Sequence, residues 1–469
     1  MIRIHLGIGL LFWLLSVQLC AQQLVIYPVP AGVLYSQHND DYTVRVRKPG
    51  EPWRDLFEYN VQVDLDKVRD ASMVFFDFSG TVEVAVRKNN GLVQTAQIRP
   101  LSYQIQSKQE GNTLYFTLTQ PRKLSIEFNG DKLQNLHLFA NPLETEIPDP
   151  NDPDVIYFGP GIHTPDDKPG DVFRIPSNKT VYIDGGAVIR GKLVCDKVKN
   201  VRIIGRGIID QPQRGIEITH SEHVLVDGII VRNPQHYTVY GGRSTNITIR
   251  NLKSFSCKGW SDGIDLMSCS DVLVDDVFMR NSDDCIALYG HRWDYYGGSR
   301  NIVVKNSTLW ADVAHPTNLG LHGDTRSVGD TLENITFSNL DILEHDEDDP
   351  DYQGCLAISC GDLNLIRNVT YENIRVDDFE EGKLISLRVL YNKKYNTGPG
   401  RNIETITFRN ISHSGSMANP SIIEGLSEQG MVRGVTFENV RINGKLLHKT
   451  QSNVLQIGAF TQKILFKPD

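Results

Sequence analysis

A chain of 469 residues and 52.8 kDa exceeds what one compact core usually holds, so several units or one long repeat array are expected. With 40% hydrophobic and 22% charged residues, and Gly and Pro spread along its length, it falls outside the disordered, collagenous and low-complexity classes. Basic residues number 48 against 57 acidic ones, a formal charge of −9, which excludes an overall basic surface and predicts no nucleic-acid partner.

At the N-terminus, Arg3 precedes an apolar run from Leu6 to Val17, the length of a signal-peptide core and too short to span a membrane. Residues 1–21 are read as a removed signal peptide with Ala21 before the cut, giving a secreted or periplasmic protein with no membrane insertion. Gln18 and Leu19 stand where a lipid-anchored Cys20 would want small residues. Of the remaining cysteines, Cys195, Cys257, Cys269, Cys285, Cys355 and Cys360 match no zinc spacing. Runs such as Cys285 Ile286 Ala287 Leu288 present them as buried small hydrophobes, with disulfide pairing left open.

Residues 22–150 alternate apolar and polar positions in short runs, for example Tyr42 Thr43 Val44 Arg45 Val46 and Thr113 Leu114 Tyr115 Phe116 Thr117 Leu118. This pattern predicts a small antiparallel β-sandwich. Pro142, Pro148, Pro150 and Pro153 mark its end.

Residues 151–469 carry a repeat. Asn or a like residue, then apolar and polar positions in alternation, then a second Asn, Asp or Gly recur nine times, as in Asn246 Ile247 Thr248 Ile249 Arg250 Asn251 and Asn334 Ile335 Thr336 Phe337 Ser338 Asn339. The first apolar positions, Val201, Val224, Ile247, Val272, Ile302, Ile335, Val369, Ile406 and Val435, step by 23 to 37 residues. One step is one coil of a right-handed parallel β-helix, with β-branched residues stacked inward and Asn or Gly at bends that need a left-handed backbone. The leucine spacing of leucine-rich repeats and the Trp-Asp pairs of propellers are absent.

A second row of strands precedes the Asn blocks: Gly215–Ile218, Tyr237–Tyr240, Gly263–Leu266, Cys285–Leu288, Leu319–His322, Cys355–Ile358 and Leu384–Arg388. Long steps between residues 257 and 400 predict loops walling a groove over this row. Asp262 precedes one strand and Asp283 with Asp284 the next, a separation of one coil, so three carboxylates are predicted to converge. Neighbours in a strand face opposite ways, so Asp283 and Asp284 share a face only across a bend or bulge. An isolated Asp pair would more often be turn chemistry, but His322 and Arg388 are expected beside these acids on successive strands. Crowded carboxylates push their pKa values apart, which lets an acid and a base coexist. Two such groups flanking a scissile bond are the apparatus of glycoside hydrolysis, with about 6.5–9.5 Å between them for inversion.

Trp260 Ser261 Asp262 Gly263 Ile264 Asp265, Asn281 Ser282 Asp283 Asp284 Cys285, Leu321 His322 Gly323 and Leu387 Arg388 Val389 resemble the four ordered motifs of the polygalacturonases, glycoside hydrolase family 28. The resemblance implies Asp283 as general acid, Asp262 and Asp284 as the groups that orient and deprotonate water, His322 as assistant and Arg388 as a substrate contact. Trp260, Trp293 and Tyr240 are the aromatic candidates for sugar contact. The chain departs from the family at Trp260 Ser261, where the motif has Asn Thr, and at Val389 Leu390, where it has Ile Lys, so the lysine that meets a uronate is missing. The layout is also similar to the dextranase and isopullulanase group, glycoside hydrolase family 49. Leu136 to Pro142 and Val155 to His163 fit the junction between sandwich and β-helix in that group.

The expected function is an inverting hydrolase of an α-linked polysaccharide, of galacturonan or rhamnogalacturonan type. The alternatives are a hydrolase of neutral α-glucans, a calcium-dependent eliminase and a non-catalytic carbohydrate binder. A monomer with no cofactor and no metal is expected. The acidic run Glu344 to Asp349 reads as a solvated loop rather than a calcium site, and His291 and His315 stand near the acids without an assigned part.

Overall fold

Strands that alternate in polarity bury one face, whereas strands apolar throughout bury both. In Tyr42–Arg47 only Tyr42, Val44 and Val46 are buried, whereas Arg69–Ser79 is buried continuously from Ala71 to Phe78. The computed structural model, which describes residues 22–165, 172–416, 419–449 and 451–467, shows why. The leader assigned to residues 1–21 lies outside the described residues.

Arg69–Ser79 belongs to a six-stranded sheet that faces a five-stranded one containing Tyr42–Arg47. Val44, Phe76, Val84, Phe116, Ile126 and Leu138 fill the space between the two sheets. The outer face of the six-stranded sheet packs Met73, Phe75 and Phe139 against Val188, Ile230, Phe255 and Phe278 of the following strands. Pairing within the sandwich is antiparallel except for Leu136–Pro142, which runs parallel to Arg69–Ser79. That strand leads the chain out toward Val155.

From Val155 onward the chain winds as a right-handed parallel β-helix, and the described residues contain no α-helix. Its strands form a 20-stranded and an 11-stranded sheet. The repeat positions pair laterally in order, Val201 with Val224, Val224 with Ile247, Ile247 with Val272, and onward to Val435. Asn200, Asn246, Asn301, Asn334 and Asn368 adopt φ of 55° to 57° at the bends. Asn tolerates this left-handed geometry, and its side-chain amide links coils, as in Asn339 to Asn306 at 2.8 Å and Asn439 to Asn410 at 3.0 Å. Inside, Phe337, Tyr371, Phe408, Phe437 and Phe466 stack at centroid spacings of 4.9–5.3 Å. The six cysteines among the described residues are buried free thiols, as their apolar surroundings predicted.

Buried ion pairs fasten the sandwich to the coils. Arg206 meets Asp77 at 2.9 Å, and Arg99 meets Asp377 at 2.9 Å. Arg280 is paired with Asp312 at 2.9 Å and donates to Asn135 at 2.9 Å and to the Lys132 carbonyl at 2.9 Å. Arg280→Ala leaves Asp312 buried without its partner, so a loss of about 3–5 kcal/mol of stability is expected in denaturant titration.

Candidate active site

The 11-stranded sheet orders Ile264–Met267, Ile286–Tyr289 and Thr317–Leu319 side by side. Ile264 pairs with Ile286 and Ile286 with Thr317. The residues two places before these partners, Asp262, Asp284 and His315, therefore form a lateral row. Asp283 joins them because the chain bends there, just after a register shift between Asn281 and Ser282. The bend required for both aspartates to share one face is present. One oxygen from each of Asp262, Asp283 and Asp284 lies within 4.8 Å of the others.

Asp284 is fully engaged. Its Oδ1 accepts from His315 Nδ1 at 2.6 Å and from the His315 backbone N–H at 3.1 Å, and its Oδ2 accepts from Asn318 at 2.9 Å. His315 Nε2 lies 2.8 Å from the Tyr352 carbonyl, so both ring nitrogens face acceptors and the ring is an imidazolium. Burial opposes that charge, but the Asp284 carboxylate outweighs it and His315 is pushed up to about 9. Burial also opposes the Asp284 charge, and there the His315 charge and hydrogen bonds win, holding Asp284 below the ordinary carboxylate range.

Asp283 is pushed the other way, up to about 7, by burial and then by the Asp284 charge. Its Oδ1 accepts from the Asp284 N–H at 3.0 Å and its Oδ2 from the Trp260 N–H at 2.9 Å. Asp262 is held well above its ordinary value by burial and then by Asp265, Asp283 and Asp284. Asp265 is fully buried, its hydrogen-bonding neighbour is the Asp262 carboxyl, and its nearest cation is Arg292 at 3.7 Å. Two carboxylates so placed do not both ionise. Acid and base are thus separated within one cluster: Asp284 ionised, Asp283 able to carry a proton near neutrality.

Four of the six oxygens of Asp262, Asp283 and Asp284 accept N–H donors. Asp262, Asp283 and Asp284 could still present one carboxylate oxygen each to a cation whose other ligands are waters.

No hydrogen bond joins His322 to the aspartates, although it feels the Asp284 charge. The strand runs Thr317–Leu319, two residues earlier than the alternation of Leu319 and Leu321 suggested. A two-residue slip preserves which side chains face inward, so hydrophobic pattern cannot detect it. His315, left without a part in the sequence reading, takes the place beside Asp284, and His322 stands edge-on to Tyr289 at the far end of the strand. Burial and the nearby Arg292 charge lower His322 to about 3, so it is neutral.

Arg388 is also misplaced by the sequence reading. Leu356–Cys360 intervenes between Thr317–Leu319 and Ile385–Val389, so Arg388 is three strand spacings, roughly 14 Å, from the Asp284 strand. Its guanidinium is held by Asp351 at 3.3 Å and Glu424 at 3.4 Å. Tyr240 is buried and meets Trp293 edge-on at 6.0 Å. Trp293 stacks on Tyr237 at 6.0 Å and keeps 43% of its surface exposed, and Trp260 keeps 68%. Asp265, Arg292, Asn318 and Tyr352 went unassigned in sequence. Asp265 lies inside the quoted motif, and only strand register could have pointed to the others.

The His315–Asp284 pair couples stability to pH. With His315 raised from 6.5 to about 9, its contribution is complete below 6.5 and is lost as pH rises through about 9. His315→Ala should flatten the pH dependence of urea stability across this window, whereas His322→Ala should retain the parental slope.

A sequence model of glycosyl hydrolases family 28 matches residues 178–459, which hold every residue of the cluster. Endopolygalacturonase D of Aspergillus niger is 25% identical over 346 residues, 71% of this chain and 63% of that protein. A probable endopolygalacturonase D of Neosartorya fischeri is 25% identical over 280 residues, 58% of this chain and 53% of that protein. The chain thus spans between half and two thirds of these relatives. Among solved structures, Dex49A from Penicillium minioluteum shares the fold with a TM-score of 0.67 at 15% identity, over 94% of this chain and 96% of that one. With its repeat, its β-helix and more than half its length matched, the chain belongs to glycosyl hydrolases family 28.

Proposed function

We propose that the protein hydrolyses α-linked glycosidic bonds of a polysaccharide, with Asp283 as general acid and Asp284 as the base that activates water. The observation that carries this reading is the contrast between adjacent aspartates: Asp284 is bonded to the His315 ring at 2.6 Å and held ionised, whereas Asp283 has only backbone N–H donors and is pushed up to about 7. Asp262, beside Asp265, orients the water. Two O–H···O bonds of about 2.8 Å from one water place their acceptors about 4.4 Å apart. One oxygen of Asp262 and one of Asp284 lie within 4.8 Å of each other, a spacing one water can bridge. This is tighter than the roughly 6.5–9.5 Å expected for inversion, so inversion rests on the water held by Asp262 and Asp284 and not on the carboxylate spacing.

The exposed rings of Trp260 and Trp293 are suited to stacking on sugars. Relatives named endopolygalacturonases support a galacturonan-type substrate. Besides His315, the acids have Arg292 as a neighbouring cation, and its guanidinium lies 5.0 Å from the ring centre of Trp293. A neutral α-glucan remains the second reading, because Arg388, expected to meet the substrate, is already held by Asp351 and Glu424.

Asp283→Asn should lower kcat by about 10²–10⁴-fold while the protein stays folded. Proton NMR of the parent reaction should show the opposite anomer forming first, and retained configuration would refute the water-based mechanism. The rate should fall as pH rises through about 7, where Asp283 gives up its proton. Incubation with polygalacturonan, rhamnogalacturonan, dextran and pullulan separates the two substrate readings. An unsaturated, ultraviolet-absorbing product would instead identify elimination.

A further inference from the structure

Trp260 is a bulky residue in the left-handed region, at φ 58°, with 68% of its surface exposed. Such a backbone is strained and persists only where neighbours enforce it. They do so here. Ser261 Oγ donates to the Lys258 carbonyl at 2.6 Å and accepts from the Lys258 N–H at 3.0 Å, closing the turn. The Ser261 carbonyl accepts from Ser256 Oγ, which in turn accepts from Asn281 Nδ2 at 2.8 Å. Asn281 is two residues before Asp283, so the turn is tied to the strand that carries the acid. The strained peptide ends with its N–H on Asp283 Oδ2, 2.9 Å away.

We propose that the Lys258–Ser261 turn is a positioning element for the proton donor. Its left-handed Trp260 peptide holds the Asp283 carboxylate that forms when the proton leaves for the departing sugar oxygen, and presents the indole to the sugar beside it. This inference rests on Asp283 as general acid. An ordinary turn would leave that peptide in solvent and the strain without function.

The hydrogen bond favours the ionised carboxylate, against burial and the Asp284 charge. The other groups that act on Asp283 or feel its charge are Asp262 and Asp265 from the preceding coil, His315 from the following one, and Tyr237 and Tyr352. None of them changes when residue 260 is replaced.

Three variants test the backbone role apart from the ring. Glycine and asparagine accept the left-handed conformation and keep the N–H, whereas a β-branched residue resists it. Trp260→Gly and Trp260→Asn should raise KM about tenfold and keep the alkaline limb of the pH–kcat profile where the parent has it. Trp260→Val should move that limb upward by at least half a pH unit and lower kcat at least tenfold, because the unsupported acid is weaker. A limb unmoved in Trp260→Val, or moved equally in all three, overturns the proposal. If Trp260→Val does not fold, Trp260→Ala takes its place, with an upward limb relative to Trp260→Gly expected and coincident limbs decisive against. Undiminished turnover by Asp283→Asn would instead overturn the assignment of the acid itself.

Discussion

In-register pairing of parallel strands is the constraint on which this protein's chemistry depends. Each coil lays its strand beside the one before at roughly 4.8 Å, so a residue finds its neighbours one turn away rather than along the chain. Asp262, Asp284 and His315 meet because Ile264, Ile286 and Thr317 pair. The asparagine bends and the stacked aromatic rings preserve that register through coils of unequal length. Loops can therefore lengthen without displacing the row beneath them.

Within the row, the same acids acquire different protonation from different partners. His315 has acceptors at both nitrogens and so carries a charge, which keeps Asp284 ionised despite burial. Asp283 has only backbone N–H donors, and burial with the adjacent negative charge raises it. Asp262 and Asp265 form a second buried acidic pair with Arg292 close by. Electrostatic contrast over a few ångströms thus comes from hydrogen-bond inventory rather than from residue type.

The sandwich is joined to the β-helix by more than apolar contact. Buried arginines of the coils reach Asp77, Asn60 and Asn135, which fixes how the six-stranded sheet sits on the solenoid. A buried guanidinium left without these partners would be costly, so the pairing has one favourable arrangement. Continuous burial of Arg69–Ser79 is the local signature of a strand that faces the sandwich core on one side and the coils on the other.

The sequence by itself determined the β-helix, its coil length, the sandwich before it and the meeting of Asp262 with Asp283 and Asp284. Inward-pointing apolar residues and left-handed asparagines recur once per coil, and those periodicities are written locally. Only the tertiary structure decided which histidine and which arginine stand near the acids. A shift of two residues leaves the inward and outward pattern of Leu319 and Leu321 unchanged, and Arg388 lies beyond the Leu356–Cys360 strand, which was legible in sequence although its effect on the distance to the acids was not. Hydrophobic alternation has a period of two, so it specifies faces, whereas lateral hydrogen bonds between coils specify neighbours.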